Sequence, residues 1–137
     1  MGGFNPMRWD CSKDGCFNTK RRPKIELFAQ CFPGLINFGD VDGLVELNGF
    51  FCLLEWKGNG GVIRTGQRIS YTAFTEAFGN IVFVVEGDAQ MMTVKRYCTF
   101  WGGKATEFRD ATFEEVCQRM KAWVSWAQSD KVQVAAE

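Results

Sequence analysis

The 137-residue sequence contains no histidine, and this absence removes several kinds of enzyme from consideration. A hydrolase with a Ser-His-Asp triad, a ribonuclease that relays protons through histidine and a nuclease that binds its metal through histidine are all excluded. No apolar run approaches the length of a membrane span, and the N-terminus lacks a cleavable signal pattern. We therefore expect a cytoplasmic protein without a membrane segment, in which a site made of carboxylates, a metal ion and lysine is still possible.

The sequence also lacks an excess of either charge, because 16 basic residues balance 16 acidic ones. Nucleic acid would thus have to be bound by local patches rather than by a global field. The densest patch comprises Lys20, Arg21, Arg22 and Lys24. A solvated basic loop and a phosphate-binding segment are equally good interpretations of it.

The composition indicates one folded domain spanning 1–137, because 46% of the residues are hydrophobic and 15% are aromatic. Within it we expect an N-terminal arm (1–19), a core (20–86), an additional strand and helix (87–128) and a flexible tail (129–137). The six cysteines occupy scattered, largely apolar positions that are typical of reduced thiols. Zinc binding by Cys11, Cys16 and Cys31 is the other possibility, but the spacing is loose and a fourth ligand is not obvious.

A β-hairpin is predicted around Asn48-Gly49, since this dipeptide between apolar-rich runs is a strong signal for a two-residue turn. Counting outwards from the turn places Asp42 opposite Glu55 and Asp40 opposite Lys57. One face of the hairpin then carries these four residues. The other face is apolar and is predicted to belong to the core; it comprises Val41, Val45, Leu47, Phe50, Cys52, Leu54 and Trp56.

The acidic face predicts a binding site for a divalent cation. Asp42 and Glu55 carry like charges on opposed strand positions, which is unfavourable unless a cation lies between them. Mg²⁺ is commonly bound through one or two carboxylates together with waters and substrate phosphates. A solvated polar face with an accidental acid pair is the alternative, but the Leu53-Leu54 run before Glu55 indicates a buried strand.

Asp42, followed after twelve residues by Glu55-Trp56-Lys57, resembles the signature of the PD-(D/E)xK nuclease superfamily. Val41 stands where that family often has proline. The resemblance implies that Asp42, Glu55 and the Trp56 carbonyl hold one or two Mg²⁺ or Mn²⁺ ions. It further implies that Lys57 orients or deprotonates the attacking water, and Asp40 is a possible additional ligand.

A helix is predicted from Arg64 to Phe78, with Gly79 as its stop signal. Gln67 and Tyr71 are four residues apart and share one helix face, and they resemble the Q-x-x-x-Y element of the RecB-like branch. In that branch this helix flanks the active site, which implies a catalytic role for Gln67 and DNA contact for Tyr71. A surface glutamine and a half-buried tyrosine are the alternative reading.

Arg64 and Arg68 lie on neighbouring turns of the same predicted helix and could bind phosphate oxygens. Glu26 lies in a predicted first helix spanning 24–32, at a place where many family members carry a further acidic metal ligand. A first-turn acid favoured by the helix dipole is the competing interpretation for Glu26.

The remaining elements predict an α/β (α+β) fold with a restriction-endonuclease-like core, α-β-β-β-α-β. Residues 35–38 are expected to form its first strand, the hairpin the next two and residues 80–86 the last. A mixed central sheet would be flanked by helices. A further strand is expected in 91–101, and the capping box Thr112-Phe113-Glu114-Glu115 predicts a C-terminal helix that ends near Ala127.

The resemblance implies a small metal-dependent deoxyribonuclease from a phage or mobile element, located in the host cell cytoplasm if phage-encoded. It would act on DNA structure in recombination or repair, as a Holliday-junction resolvase does, and a homodimer would suit the two cuts that a junction requires. The alternative is a catalytically silent, nuclease-like module that binds DNA or inhibits a partner protein. The sequence does not distinguish a junction, flap, end or sequence site as the substrate, nor exonuclease from endonuclease action.

Overall fold

The computed structural model describes residues 24–36 and 38–129. Its elements, in chain order, are a 3₁₀ helix (Ile25–Cys31), β1 (Gly43–Leu47), β2 (Phe50–Lys57), α1 (Thr65–Glu76), β3 (Ile81–Asp88), β4 (Thr93–Trp101), β5 (Lys104–Ala105), β6 (Arg109–Asp110) and α2 (Phe113–Ala127). The chain divides into two compact units, of which the first ends at Asp40 and the second begins at Val41. The prediction of one domain over the whole chain stays a prediction.

The first unit forms a 3₁₀ helix where the sequence predicts a helix over 24–32. Phe38 makes edge-to-face contacts with Phe28 in this helix and with Phe32 directly after it. The prediction of a strand in 35–38 is wrong for the described positions. Gly34 adopts a φ of 62° after Pro33 and places Leu35 in a turn, where it is 98% exposed, and Ile36 is not in a strand either.

The second unit contains a six-stranded mixed sheet with the order β1-β2-β3-β4-β5, and β6 also pairs with β4. Among the described strand pairs only β2–β3 is parallel, and α1 forms the crossover between these two strands. The other pairs, β1–β2, β3–β4, β4–β5 and β4–β6, are antiparallel. The predicted α+β class, a mixed sheet with helices, is confirmed.

Within the described part of the chain, α2 packs on one side of the sheet and α1 on the other. On the α2 side the core contains Phe50, Cys52, Phe83, Val85 and Tyr97 from the strands and Val116, Trp123 and Ala127 from the helix. On the α1 side it contains Leu53, Val82, Val84, Cys98 and Phe100 from the strands and Tyr71 from the helix. The capping box predicted at the start of α2 is confirmed, since Thr112 Oγ1 accepts a hydrogen bond from Glu115 N at 3.2 Å.

The prediction of an apolar core face on the hairpin is correct for β2 and partly wrong for β1. Phe50 and Cys52 are buried, and Leu54 packs against the same core. Val41 and Val45, in contrast, are 53% and 55% exposed, because β1 is the edge of the sheet and Val41 precedes it. Neither α helix in the described ranges has the length and apolar character that a membrane span requires.

Candidate active site

The hairpin has the register that the Asn48-Gly49 turn predicts. Both turn residues have positive φ, 53° and 88°, and Leu47 lies opposite Phe50. The pairing continues to Gly43 opposite Leu54, which is one step short of Asp42 and Glu55. Asp42 thus lies just before β1, next to the C-terminal part of β2.

Asp42 is held in this place by a backbone hydrogen bond. Its Oδ2 atom accepts from the N–H of Trp56 at 2.6 Å. Trp56 directly follows Glu55 in β2, so this bond fixes the first acid beside the second one. Asp42 itself is exposed and can reach solvent.

Glu55 is buried on the α1 side of the sheet, with a relative exposure of 8%. Its Oε1 atom accepts from the hydroxyl of Tyr71 at 3.2 Å, and its Oε2 atom lies 3.5 Å from Gln67 Nε2 and 3.8 Å from Lys57 Nζ. Burial, together with the charges of Glu55 and Asp42 and the hydrogen bond to Glu55, raises the pKa of Tyr71 far above its ordinary value. Tyr71 therefore stays protonated and acts as a hydrogen-bond donor to Glu55.

Gln67 joins the lysine to the acid. Its Oε1 atom accepts from Lys57 Nζ at 2.8 Å and from Arg64 N at 3.1 Å, while its Nε2 atom faces Glu55. Two donors on one side and an acceptor on the other determine the orientation of the amide. Because Gln67 lies in the first turn of α1, the start of the helix positions it above β2.

The structure therefore brings together five of the residues that the sequence singles out, namely Asp42, Glu55, Lys57, Gln67 and Tyr71. Tyr71 requires a correction, since it is only 7% exposed and its hydroxyl faces Glu55. A buried tyrosine cannot offer its ring to DNA, so the predicted DNA contact is replaced by support of the acid. Arg64, the N-cap residue of α1, and Arg68, in its first turn, are both exposed.

Other predicted site residues belong to the first unit or lie outside the described residues. Glu26 and Asp40 are exposed in the first unit, and their roles as metal ligands stay predictions. Lys24 is exposed as well. The residues Lys20, Arg21, Arg22, Cys11 and Cys16 lie outside the described residues, whereas Cys31 is an exposed free thiol.

The donor atoms at the site suit a hard cation with few protein ligands. The part of the chain that the structure describes contains no group of three or more histidine, cysteine or acidic side chains able to hold a metal. Asp42 and Glu55 supply two carboxylates, and the Trp56 carbonyl is a predicted third ligand. Oxygen ligands in this small number fit Mg²⁺ or Mn²⁺, which keep several waters and bind substrate phosphates.

A second buried acid, which the sequence reasoning missed, lies on the same side of the sheet. Glu86 in β3 is 1% exposed and pairs with Arg96 of β4, its cross-strand neighbour. The hydrogen bond from Arg96 is the main cause that lowers the pKa of Glu86. The sequence does contain a signal for this residue: Glu86 ends a continuous apolar run, and an acid in such a buried strand requires a partner.

The arrangement combines two neighbouring carboxylates with an ammonium group that lies against a fixed amide. Such a set can bind a divalent cation and a phosphate oxygen at adjoining positions. Comparisons of the chain with protein-family models, with curated proteins and with solved structures find no match.

Proposed function

We propose that this chain is a metal-dependent deoxyribonuclease of the PD-(D/E)xK type, which hydrolyses phosphodiester bonds. One observation carries the proposal: the hairpin register sets Asp42 beside Glu55, and Lys57 follows on the same strand face within reach of both Glu55 and Gln67. The spacing of acid, acid and lysine that resembles the superfamily signature therefore corresponds to a spatial cluster.

A restriction-endonuclease-like core is part of the proposal. In its favour are an antiparallel hairpin, a helical crossover and a strand that runs parallel to the second hairpin strand. These elements match the order β-β-α-β at the end of the superfamily core. The described positions among residues 35–38 form no strand before the hairpin, so the proposed match begins at β1.

The side chains of the site have distinct roles in the proposed hydrolysis. A bound Mg²⁺ or Mn²⁺ ion would acidify a water and neutralise charge on the scissile phosphate. Lys57, whose side chain is 13% exposed, would orient that water or stabilise the charge that develops on the phosphate. Gln67 holds Lys57 Nζ at 2.8 Å and thereby fixes where the ammonium group points.

The first acid is accessible and the second is buried, which suits different tasks. Exposed Asp42 can reach a cation that arrives with its substrate, whereas Glu55 is held from behind by the hydroxyl of Tyr71. Each acid keeps its geometry through a hydrogen bond from elsewhere in the fold, Trp56 N–H in one case and Tyr71 in the other. Such preorganisation is what a catalytic metal site requires.

The proposed substrate is branched DNA, and the proposed role is that of a phage or mobile-element enzyme in recombination or repair, similar to a Holliday-junction resolvase. Exposed Arg64 and Arg68 at the start of α1 would contact the phosphate backbone close to Lys57. Contact of DNA with the basic residues around position 22, which lie outside the described residues, is a separate part of the proposal. A homodimer would provide the second cut at a junction.

A catalytically silent DNA-binding or inhibitor module is the second candidate, and one observation favours it. Lys57 lies 3.8 Å from Glu55 Oε2 and also donates to Gln67, so the acid and the lysine are satisfied by protein groups. A purely structural ion pair would have the same contacts.

The test is a cleavage assay with labelled branched, single-stranded and linear duplex DNAs in Mn²⁺, Mg²⁺ or a chelator. We expect cleavage of at least one branched substrate with either metal and none with the chelator. The Glu55→Gln variant should be inactive, while Glu114→Gln, the same change on an exposed first-turn acid of α2, should cleave like the wild type.

The two variants separate the candidates. Equal cleavage by wild type and Glu55→Gln would place the activity elsewhere and contradict the proposed site. If the wild type and Glu55→Gln both bind branched DNA and neither cleaves it, the silent module is favoured.

A further inference from the structure

Glu86 is a buried, charged residue that the proposed chemistry leaves without a role. Its Oε1 atom accepts from Arg96 Nε, and its Oε2 atom accepts from Gly60 N at 3.1 Å and lies 3.9 Å from Lys95 Nζ. A buried carboxylate with two cationic partners and a backbone N–H has a well-defined position. Glu86 therefore forms a fixed point to which the loop after β2 is attached.

Glu86 lies beside Lys57, since the parallel register of β2 and β3 pairs these two residues. The chain leaves Lys57 directly into a tight turn, in which Gly61 N donates to Gly58 O at 2.9 Å. Gly60, the residue that donates to Glu86, has a φ of 80° and so adopts a conformation that favours glycine.

The turn also contacts the stem of the lysine. A Cβ atom built on Gly61 would lie 3.0 Å from Lys57 Cβ, 3.5 Å from Lys57 Cδ and 3.0 Å from Gly58 O. The backbone of Gly61 therefore packs against the aliphatic part of Lys57. A Cβ atom on Gly58, in contrast, would meet no atom within 4 Å.

We propose that Glu86 is a positioning residue for Lys57, a role that rests on the proposed nuclease function. Glu86 fixes the turn of residues 58–61 through the amide of Gly60, and the turn holds the Lys57 stem so that Nζ stays on Gln67. Three of the four turn residues are glycines, which have many accessible conformations when nothing restrains them. One buried acceptor is therefore enough to select a single conformation.

The first experiment uses Glu86→Gln, which preserves the size of the side chain and removes its charge. We expect the Gly60 amide to exchange its hydrogen about tenfold faster, because a charge-assisted bond becomes a neutral one. The amide of Val84, which is in β3 like Glu86, should keep its exchange rate. The turnover number should fall about tenfold, with KM within about twofold of the wild type, because a small displacement of a catalytic group slows the reaction without changing substrate binding.

The second experiment leaves the Glu86 ion pair intact and compares two glycine substitutions in the turn. Gly61→Ala presses a methyl group on the Lys57 stem and should lower the turnover number about tenfold. Gly58→Ala adds the same group in open space and should act like the wild type. DNA affinity should be unchanged in both variants, because neither touches the exposed arginines of α1.

The outcomes separate this proposal from the nuclease function. If the wild type cleaves DNA while Gly61→Ala is as fast as Gly58→Ala, the positioning role is overturned and the nuclease function stands. If Glu86→Gln does not fold, the comparison of Gly61→Ala with Gly58→Ala decides whether the turn positions Lys57. If the wild type cleaves no DNA, the proposed function fails, and the Gly60 exchange rate in Glu86→Gln decides whether Glu86 fixes the turn.

Discussion

The two sides of the central sheet have different kinds of core. The α2 side is formed by large apolar side chains such as Phe50, Phe83 and Trp123. The α1 side begins in the same way, with Leu53 and Val82, but then contains the two buried acids of the described residues, both at the end of the parallel strand pair.

Under the proposed function, this difference separates residues that stabilise the fold from residues that would take part in the reaction. Apolar burial stabilises a fold in proportion to the area removed from water, whereas buried charges cost free energy that their partners only partly offset. Glu55 and Glu86 would be poor choices for stability alone. Under the proposed function, the charged end of the α1 side would provide the chemistry, while the apolar side chains of the α2 side would serve stability alone.

The largest expected effect is a loss of stability from Phe83→Ala. Phe83 is 1% exposed in the α2-side core, and removing its ring leaves a cavity that should cost about 3–5 kcal/mol of unfolding free energy. Urea unfolding measures this change. The cleavage rate per folded molecule should stay as in the wild type. A large loss of that rate would contradict the assignment of stability to the α2 side and chemistry to the α1 side.

The opposite result is expected for Lys57→Ala. The cleavage rate should fall about a hundredfold, or about 2.7 kcal/mol of transition-state stabilisation, while DNA affinity falls little because one phosphate contact is a small share of the total. Single-turnover cleavage and filter binding on the same branched DNA measure both quantities.

Arg68→Ala is the matched control, since it removes one positive charge from the exposed surface of α1. It should weaken binding and flatten its salt dependence without a comparable loss of rate. A Lys57→Ala protein that cuts as fast as the wild type would make the silent module the better interpretation.

The unfolding free energy of the protein should depend on pH through Glu86. Its contacts lower its pKa in the folded protein below the ordinary value of 4.5, chiefly through the Arg96 hydrogen bond. The stabilisation is fully present above that ordinary value and is lost as the pH falls through the lowered pKa. Urea midpoints between pH 7 and pH 3 should therefore decline more steeply for the wild type than for Glu86→Gln, and parallel declines would remove Glu86 as the cause.

The smallest effect is expected from Tyr71→Phe, which removes the hydroxyl that donates to Glu55 at 3.2 Å. Loss of one buried hydrogen bond should lower the unfolding free energy by about 1 kcal/mol. Cleavage should fall only a few fold, because Asp42 and Glu55 are still present. A loss as large as that of Lys57→Ala would instead make the hydroxyl a direct participant in the reaction.

The hairpin and the helix that follows it could be predicted because their signals are local. Asn48-Gly49 determines the register, and the register continued by one residue predicts Asp42 beside Glu55, where the hydrogen bond from Trp56 N holds it. The helix from Thr65 to Glu76 agrees with the periodicity of its apolar residues, and the four-residue spacing puts Gln67 and Tyr71 on one face. Local spacing therefore predicted the centre of the candidate site.

The features that the sequence did not predict depend on distant partners. Arg96 meets Glu86 only because β4 pairs with β3. The exposure of Val45 follows from the edge position of β1, which the alternation of residues cannot reveal. Leu35 and Ile36 have the composition of a strand, but Leu35 belongs to the turn that follows Gly34 and neither residue is in a strand.

The most direct test of a cation site between Asp42 and Glu55 is thermal unfolding of the wild type and Glu55→Gln with and without Mn²⁺. Without metal, we expect Glu55→Gln to be as stable as the wild type or more stable, because the repulsion between the two acids is removed. Mn²⁺ at about 100 times its dissociation constant should stabilise the wild type by about 2.7 kcal/mol and Glu55→Gln hardly at all. Equal stabilisation of both proteins, or of neither, would contradict a divalent cation site at these two carboxylates.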